Sequence, residues 1–467
     1  MSTHVGYVVE VQKLRPHTNA DKMQIATFFG NDTCIDLNTK IGDIGIYFPT
    51  DLQLSVEFAE YNNLLRKKDA EGNSIGGYMD PDKRNVTSIR LRGEKSDGLF
   101  LPITCLDYCF EDGAAAHLKI GDTIDVVNGH DICIKYIPRR NPARMGNINE
   151  GNKTRKKKVA VAPLFTEHAD TEQLAYNLAA FKSGDLVEIT LKMHGTSQRT
   201  AYLPVFKGYK RSFMDKIMRR EGIPIYDWGH VSGTRRVVLD DYEGGFYGAN
   251  AFRERHSKVF EGKLHKGEEV YYEVVGYTDT GAPIMGDCAN KKLNDKEFLK
   301  KYGETTTFSY GCSPDGLSEP LAYWDEAETE PAMYKKLPQS DMYVYRMTMT
   351  NEDGDVVEYT PDYMRYRCEQ MGVKTVPVMW IGFIPKNPAS AEDDTISAGE
   401  WIRNVAERFY DGPDPIGKTH VREGVVCRII NRPKFAAYKH KNFAFKCLEG
   451  IVKADADAPD MEEAQEA

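Results

Sequence analysis

No stretch of the 467-residue sequence approaches the roughly 18 consecutive apolar residues that a membrane span needs. The opening residues, MSTHVGYVVE, lack the basic and then apolar pattern of a secretory signal. Charge of neither sign dominates. With 61 Lys and Arg against 70 Asp and Glu, the net charge is -9, so any nucleic-acid partner must be held by local basic patches. Cysteines are few and unpaired in pattern: nine, an odd number scattered along a long chain, do not form a disulfide framework. Cys105 and Cys109 are the one close pair, and no second pair or paired histidines complete a zinc site. These absences lead to the expectation of an intracellular, cytoplasmic protein with buried thiols and no membrane partner. What is present is ordinary for a folded soluble protein: 41% hydrophobic residues, and length enough for two or three domains.

The first part reads as short strands between turns. Val5–Val11, Ile25–Phe29, Ile44–Phe48, Thr87–Leu91 and Thr123–Val127 are rich in β-branched and aromatic residues. Many short strands with few helices suggest a small barrel. Lys-x-Gly-Asp recurs at Lys40, Lys119 and Lys182, each time before an apolar run, and reads as repeated turn chemistry. From Pro138 to Lys158 the composition turns to Pro, Gly and Asn, with eight basic residues against one acidic. That run is either a solvated linker or a phosphate-contacting arm. Beyond it the pattern is mixed: a helix over Thr171–Phe181, strands at Asp185–Lys192, Val270–Val275, Met342–Met349, Val376–Ile384 and Gly424–Ile430, and a helix over Ala398–Phe409 capped by Ser397. The acidic end, ADADAPDMEEAQEA, reads as a disordered tail.

The sharpest local feature is Lys192-Met-His-Gly-Thr-Ser197, directly after the strand VEITL. A lysine leaving a strand into a glycine turn is fixed in position, with backbone able to approach a phosphate. A neutral amine there is a nucleophile. Alone, Lys-x-x-Gly is also an ordinary surface turn. An ordered set follows it: an arginine pair in VSGTRRVVL, with Arg235 and Arg236; Glu273 inside the apolar strand YYEVVG; the alternating Tyr343 and Tyr345 before Arg346; Glu423 in VREGVV; and Lys439 and Lys441 two apart in AYKHKN. An isolated carboxylate in an apolar strand is costly, and two lysines on one strand face suit a phosphate.

This order resembles the nucleotidyltransferase motifs of ATP-dependent RNA ligases, over roughly residues 160–450. The Lys-x-His-Gly-Thr form is typical of RNA ligases, whereas DNA ligases and capping enzymes usually carry Asp where His194 stands. A second resemblance lies at the amino terminus: LRPHTNADKMQIA from Leu14, IRLRG from Ile89 and SDGLFLP from Ser96 look like OB-fold tRNA-binding modules. The same kind of module leads a branch of ligases that join 3′-OH and 5′-phosphate ends. The expected fold class is thus α+β: an OB-type β-barrel at 1–138, a basic linker at 139–159, a ligase nucleotidyltransferase domain of antiparallel sheets with an ATP-grasp-like character at 160–452, and the tail at 453–467.

The resemblance also implies roles. Lys192 is the nucleophile that takes AMP from ATP. Arg235, with Arg236 as its alternative, reaches the nucleotide ribose or the RNA end. Glu273 holds ribose hydroxyls, and Glu423 binds a divalent metal, Mg2+ or Mn2+. Tyr345 stacks on adenine, with Tyr343 as competitor; the family often has Phe there. Lys439 and Lys441 contact the α-phosphate, with Lys446 as an alternative at a solvated strand position. Arg199 reaches the triphosphate, and His194 shapes the nucleophile turn or touches the nucleotide. Lys22, Arg90 and Arg92 are candidate RNA contacts of the first domain. The implied function is the sealing of RNA ends, a nicked duplex in RNA repair, by a monomer. A DNA ligase or capping enzyme is the enzymatic rival, and a non-catalytic RNA-binding adaptor is the rival of another class. The role of residues 350–420, between the Tyr345 and Glu423 motifs, is left open, with surface elaboration as one reading.

Overall fold

The computed structural model describes residues 4–68, 70, 74–136, 161–168, 171–213, 217–218, 222–235, 237–239, 242, 251–278, 283–285, 288–304, 340–390, 395–416 and 420–454. The basic run at 139–159, Arg236 and all but the first two residues of the tail lie outside them. The chain divides into two compact units. Unit 1 is Met1–Arg139 with Asn290–Thr305 and Asn442–Ala458, and unit 2 is Arg140–Ala289 with Thr306–Lys441 and Pro459–Ala467.

In unit 1 the expected strands form, and all pair antiparallel. Leu99–Pro102, Ile44–Phe48, Gly6–Glu10 and Thr123–Ile124 make a four-stranded sheet in that order. Leu14–Pro16, Met23–Phe28 and Asn31–Asp36 make a three-stranded one, and four further pairs stand beside them. The expected barrel is not closed among the described residues. Strands of two to six residues, broken by turns, pair in separate small sheets instead of one continuous ladder. Ile46, Phe48, Leu54, Phe58 and Leu106 fill the core, which also buries Cys105 and Cys109. Two later segments complete the unit. Asp295 caps the helix Lys296–Tyr302 and takes an ion pair from Arg90 at 2.7 Å. The helix Phe443–Ala454 puts Phe443 beneath Arg90 and Lys95, and Lys446 pairs with Asp97, which also accepts from Ser88 Oγ at 2.6 Å. Lys446 is therefore a helical residue spent inside unit 1, where a strand position had been expected.

The Lys-x-Gly-Asp sites are indeed one turn used three times. Asp43, Asp122 and Asp185 each accept from the backbone N–H of the lysine three residues back, at 2.8, 2.7 and 2.7 Å. The glycines stand at φ of 93°, 95° and 88°, a left-handed conformation that glycine adopts without strain.

Unit 2 is built on two five-stranded sheets. Its elements in chain order are β1 (Glu172–Gln173), β2 (Leu186–Lys192), β3 (Thr196–Lys210), β4 (Ile223–Gly233), α1 (Ala251–Lys258), β5 (Glu268–Gly276), β6 (Ser340–Thr350), β7 (Val356–Glu358), α2 (Pro361–Met371), β8 (Val378–Phe383), α3 (Ala398–Tyr410), β9 (Gly424–Ile429) and β10 (Ala436–Lys441). One sheet runs β1-β10-β9-β2-β8 and the other β4-β3-β5-β6-β7. All pairings are antiparallel except the parallel β1–β10 contact. Thr171–Phe181, expected as a helix, is β1 followed by two short 3-10 turns. Glu172 and Gln173 find ladder partners in β10, and that tertiary pairing overrides the local helical pattern. The 350–420 region is structural, not surface elaboration. It supplies β7 to one sheet, β8 to the other, and α3, whose Ser397–Glu400 capping box starts it where expected. Ile402, Val405 and Ala406 of α3 seal the core over Val187, Ile189, Val425 and Cys427.

Candidate active site

The sealed face of the first sheet dictates what the opposite face carries. Val187 and Ile189 face α3, so alternation sends Glu188, Thr190 and Lys192 to the other side. By the same count Val425, Cys427 and Ile429 face α3, as do Ala436 and Tyr438, leaving Lys439 and Lys441 on the face of Lys192. Register then aligns the site. Lys192 pairs with Gly424 and Gly424 with Lys441, so three residues distant in sequence lie abreast on neighbouring strands. Gly424 makes this closeness possible: its φ is +151°, and a side-chain carbon there would sit 2.1 Å from the His440 carbonyl oxygen.

Glu423, just before Gly424, stands between the two lysines. Its Oε1 is 2.7 Å from Lys192 Nζ and 3.3 Å from Lys441 Nζ. Its Oε2 is buried, receives no hydrogen bond from the described residues, and has His194 Nδ1 at 3.6 Å. Burial alone would raise the carboxyl, but the Lys192 and then the Lys441 charge hold it well below the usual carboxylate range. Lys439 lies two residues from Lys441 on the same face, opposite Val426 and half-buried.

The turn Met193–Gly195 carries the chain from the first sheet to the second. A methyl on Gly195 would lie 2.5 Å from the Val274 carbonyl oxygen, so only glycine lets β3 enter its place beside β5. Arg253, buried on α1, fastens the start of β3 by donating to Thr196 Oγ1 at 2.7 Å. Ser197 then pairs with Glu273, and Glu273 with Tyr343. Glu273 is the half-exposed member of an otherwise buried β5.

Tyr343 and Tyr345 part company here. The β5–β6 register slips between Tyr271, opposite Arg346, and Tyr272, opposite Val344, which leaves Tyr345 as a bulge without a ladder partner. Its hydroxyl meets Ser197 Oγ at 2.9 Å, and its ring stays half-exposed. Burial and then the Glu273 charge push that hydroxyl up to about 12. Tyr343 is buried, its hydroxyl donates to Asp341 Oδ2 at 3.1 Å, and Lys374 sits over its ring.

Arg235 is half-buried; its carbonyl accepts from the His168 N–H at 3.1 Å, and its charge acts on both His168 and Tyr345. Arg199 departs from the expected reach to a triphosphate. Its side chain is buried, with Nε donating to the Thr234 carbonyl at 2.9 Å and Nη1 to Glu269 Oε1 at 3.0 Å and to the Thr166 carbonyl. Its guanidinium also lies 3.7 Å from the Phe165 ring centroid. It lies on β3, where both faces are covered, so protein partners absorb its charge.

Two residues had been given no role: Arg346, noted only as the neighbour of Tyr345, and His168, which carried no sequence signal. Arg346 binds Glu358 through Nε at 3.0 Å and donates from Nη1 to His168 Nδ1 at 2.9 Å. That donor fixes His168 as the neutral ring protonated at Nε2, and burial followed by the Arg346 charge keeps it from titrating near neutrality. The imidazole sits 4.7 Å from the Tyr271 ring and 6.0 Å from that of Tyr345.

No helix among the described residues is long and apolar enough to cross a membrane. No family model matches the sequence, and no curated protein matches it by sequence comparison. Solved structures do match. A Naegleria gruberi RNA ligase variant with ATP and manganese is 16% identical, with a TM-score of 0.53 over 94% of this chain and 98% of that one. The same organism's ligase with pyrophosphate is 17% identical, with a TM-score of 0.52 over 95% and 97%. A ligand-free variant is 18% identical, with a TM-score of 0.52 over 96% and 98%. The resemblance seen in the motifs thus extends to the fold, nearly end to end.

Proposed function

We propose that the chain is an ATP-dependent RNA ligase that joins 3′-OH and 5′-phosphate ends, sealing nicks in RNA repair. The observation that carries this is the Lys192–Glu423–Lys441 group, held at the junction of two sheets in a fold shared with RNA ligases. In the first step Lys192 Nζ attacks the α-phosphorus of ATP. An N–P bond forms, the bond to pyrophosphate breaks, and Nζ gives up a proton. A 5′-phosphate oxygen then displaces the lysine to form RNA-adenylate, and the 3′-OH displaces AMP to close the strand. Lys441 and Lys439 meet the α-phosphate and the charge that develops on it. Glu273 holds ribose hydroxyls, Tyr345 offers its half-exposed ring to adenine, and Arg235 reaches the ribose or the RNA end. His194 serves the turn and the second oxygen of Glu423.

The residues suit a divalent cation bound with the nucleotide. Among the described residues, Glu423 is a buried, ionised carboxylate with one oxygen lacking a hydrogen bond, and no group of three or more metal-binding side chains exists. One carboxylate, completed by phosphates and water, is how Mg2+ is usually held. Bound there, Mg2+ or Mn2+ supplies positive charge that offsets the phosphates. Unit 1 takes the role of the OB-type RNA-binding module, acting in a monomer.

The test is incubation with α-labelled ATP or GTP and a divalent metal. Label should attach from ATP and leave when a 5′-phosphate nicked RNA duplex is added. Label from GTP would point to capping chemistry. None from either would leave an RNA-binding adaptor.

A further inference from the structure

One built surface of unit 2 has no part in this chemistry: the hairpin in which Arg199–Lys210 of β3 pair with the 11 residues of β4. Its inner face is packed, with Ala201, Leu203, Val205 and Val231 closing on Ala162 and Phe165. Alternation places Tyr202 and Phe206 of β3, with Tyr226, Trp228 and His230 of β4, on the other face, where Tyr202 packs against the core of Phe252, Phe260 and Tyr272 and the rest of the row runs out beyond it. Pairing sets Tyr202 against His230, with ring centroids 4.9 Å apart, and Phe206 against Tyr226 at 5.9 Å. Trp228 stands 5.9 Å from Tyr202. A bulge at Lys207 resets the alternation, so that Tyr209 joins the row 5.1 Å from Phe206. From 202 to 209 the row follows about 23 Å of strand.

None of these rings is buried; His230 is exposed and the others half-buried. Their setting is cationic. Lys266 Nζ lies 5.2 Å from the Trp228 ring centroid, the Glu261 charge acts on His230 at the far end of the row, and the exposed Lys207 and Lys210 add positive charge on the opposite face of the hairpin. Across residues 203–233 the sequence holds six Lys and Arg against three Asp and Glu, the reverse of the balance in a chain of net charge -9. Aromatic rings interleaved with cations are what stacks unpaired bases while neutralising phosphates.

We propose that this aromatic face binds the single-stranded RNA leading to a reactive end, with bases on Phe206, Tyr226 and Trp228 and a phosphate met by Lys266. The proposal rests on the RNA-ligase reading for its substrate. The local charge reversal selects a polyanion over an apolar protein partner.

The experiment uses the full chain carrying Tyr226→Ala with Trp228→Ala, and a second version with leucine at both positions, which keeps apolar bulk for folding. Binding of a fluorescent single-stranded oligoribonucleotide is measured by anisotropy at two salt concentrations, beside covalent labelling from ATP, which needs no RNA. The expected result is about tenfold weaker binding per ring removed, with labelling unchanged. Lys266→Gln should reduce the salt dependence by about one phosphate contact. Unchanged RNA affinity in a variant that still takes label would overturn the proposal. So would loss of a dimer in sedimentation with RNA affinity intact, since that would assign the face to a second copy of the chain. Wild-type protein that takes no label from ATP would instead refute the ligase reading, while its RNA affinity against the variants still decides the hairpin.

Discussion

Two buried carboxylates in unit 2 answer the same problem in opposite ways. Glu268 is fully enclosed and saturated. Arg367 donates to both oxygens at 2.8 Å each, the Tyr359 hydroxyl donates to Oε1 at 3.0 Å, and the His265 N–H donates to Oε2 at 2.8 Å. Glu423 is nearly as buried, at 3% exposure, yet it faces two lysines that each offer a single charge, and one of its oxygens has no hydrogen bond from the described residues. The first arrangement leaves no valence for a ligand and holds β5 to α2. The second is overcharged and undersatisfied, which is poor design for a scaffold and good design for receiving phosphates. Saturation, more than burial or charge, separates framework from site in this unit.

Removing the proposed nucleophile should have the largest effect on the Glu423 side. Lys192→Ala should reduce covalent labelling from ATP to background with little change in melting temperature, because Lys192 is already 18% exposed. On the Glu268 side, Glu268→Gln leaves Arg367 without its counter-charge and should cost about 3–5 kcal/mol of stability, read by denaturant unfolding. Glu423→Gln inverts that pattern: labelling should fall about 10²–10³-fold while stability shifts by less than for Glu268→Gln. Equal loss of stability in the two glutamine variants would break the comparison.

The pH dependence of unfolding sharpens the comparison further. Burial, with the Arg255 and Arg253 charges, lowers His256 from 6.5 to about 3. The unfolded chain takes up that proton first, so stability should be whole above about pH 6.5 and decline as the pH falls toward 3. His256→Gln should flatten that decline. The Glu423 charge persists over the same window, because its carboxyl is held below the usual range. The smallest effect is expected at the bulge. Tyr345→Phe removes the bond to Ser197 and should raise the ATP concentration needed for half-maximal labelling a few-fold, whereas Tyr343→Phe should act on stability alone.

The sequence made the site's parts legible because each motif sits on a strand whose apolar pattern is strong, such as VEITL before Lys192 and GVVCRI after Glu423. What it could not show was register. Lys192 and Lys441 become neighbours only through Gly424, and no local pattern encodes a pairing across some two hundred residues. Tyr345 is another case: strict alternation treats it as equivalent to Tyr343, and a one-residue slip in the ladder makes them different. Arg199 looked available because it closely follows the Lys192 motif, but both faces of β3 are covered where it lies. The long hairpin escaped because β3 alternates poorly, with six consecutive buried residues at its start. The Thr171–Phe181 region was misjudged for the converse reason: its helical pattern is local, and its partner is not.

Unit 1 takes its last helix from the far end of the chain, where Lys446 reaches back to Asp97 and Phe443 lies beneath Arg90 and Lys95. A ribosome making this protein therefore releases the amino-terminal unit unfinished, with the Asp97 carboxylate waiting for a partner more than three hundred residues away. Truncation just after Lys441 would leave every candidate catalytic side chain in place, and the damage would be felt first in the part of the protein translated earliest.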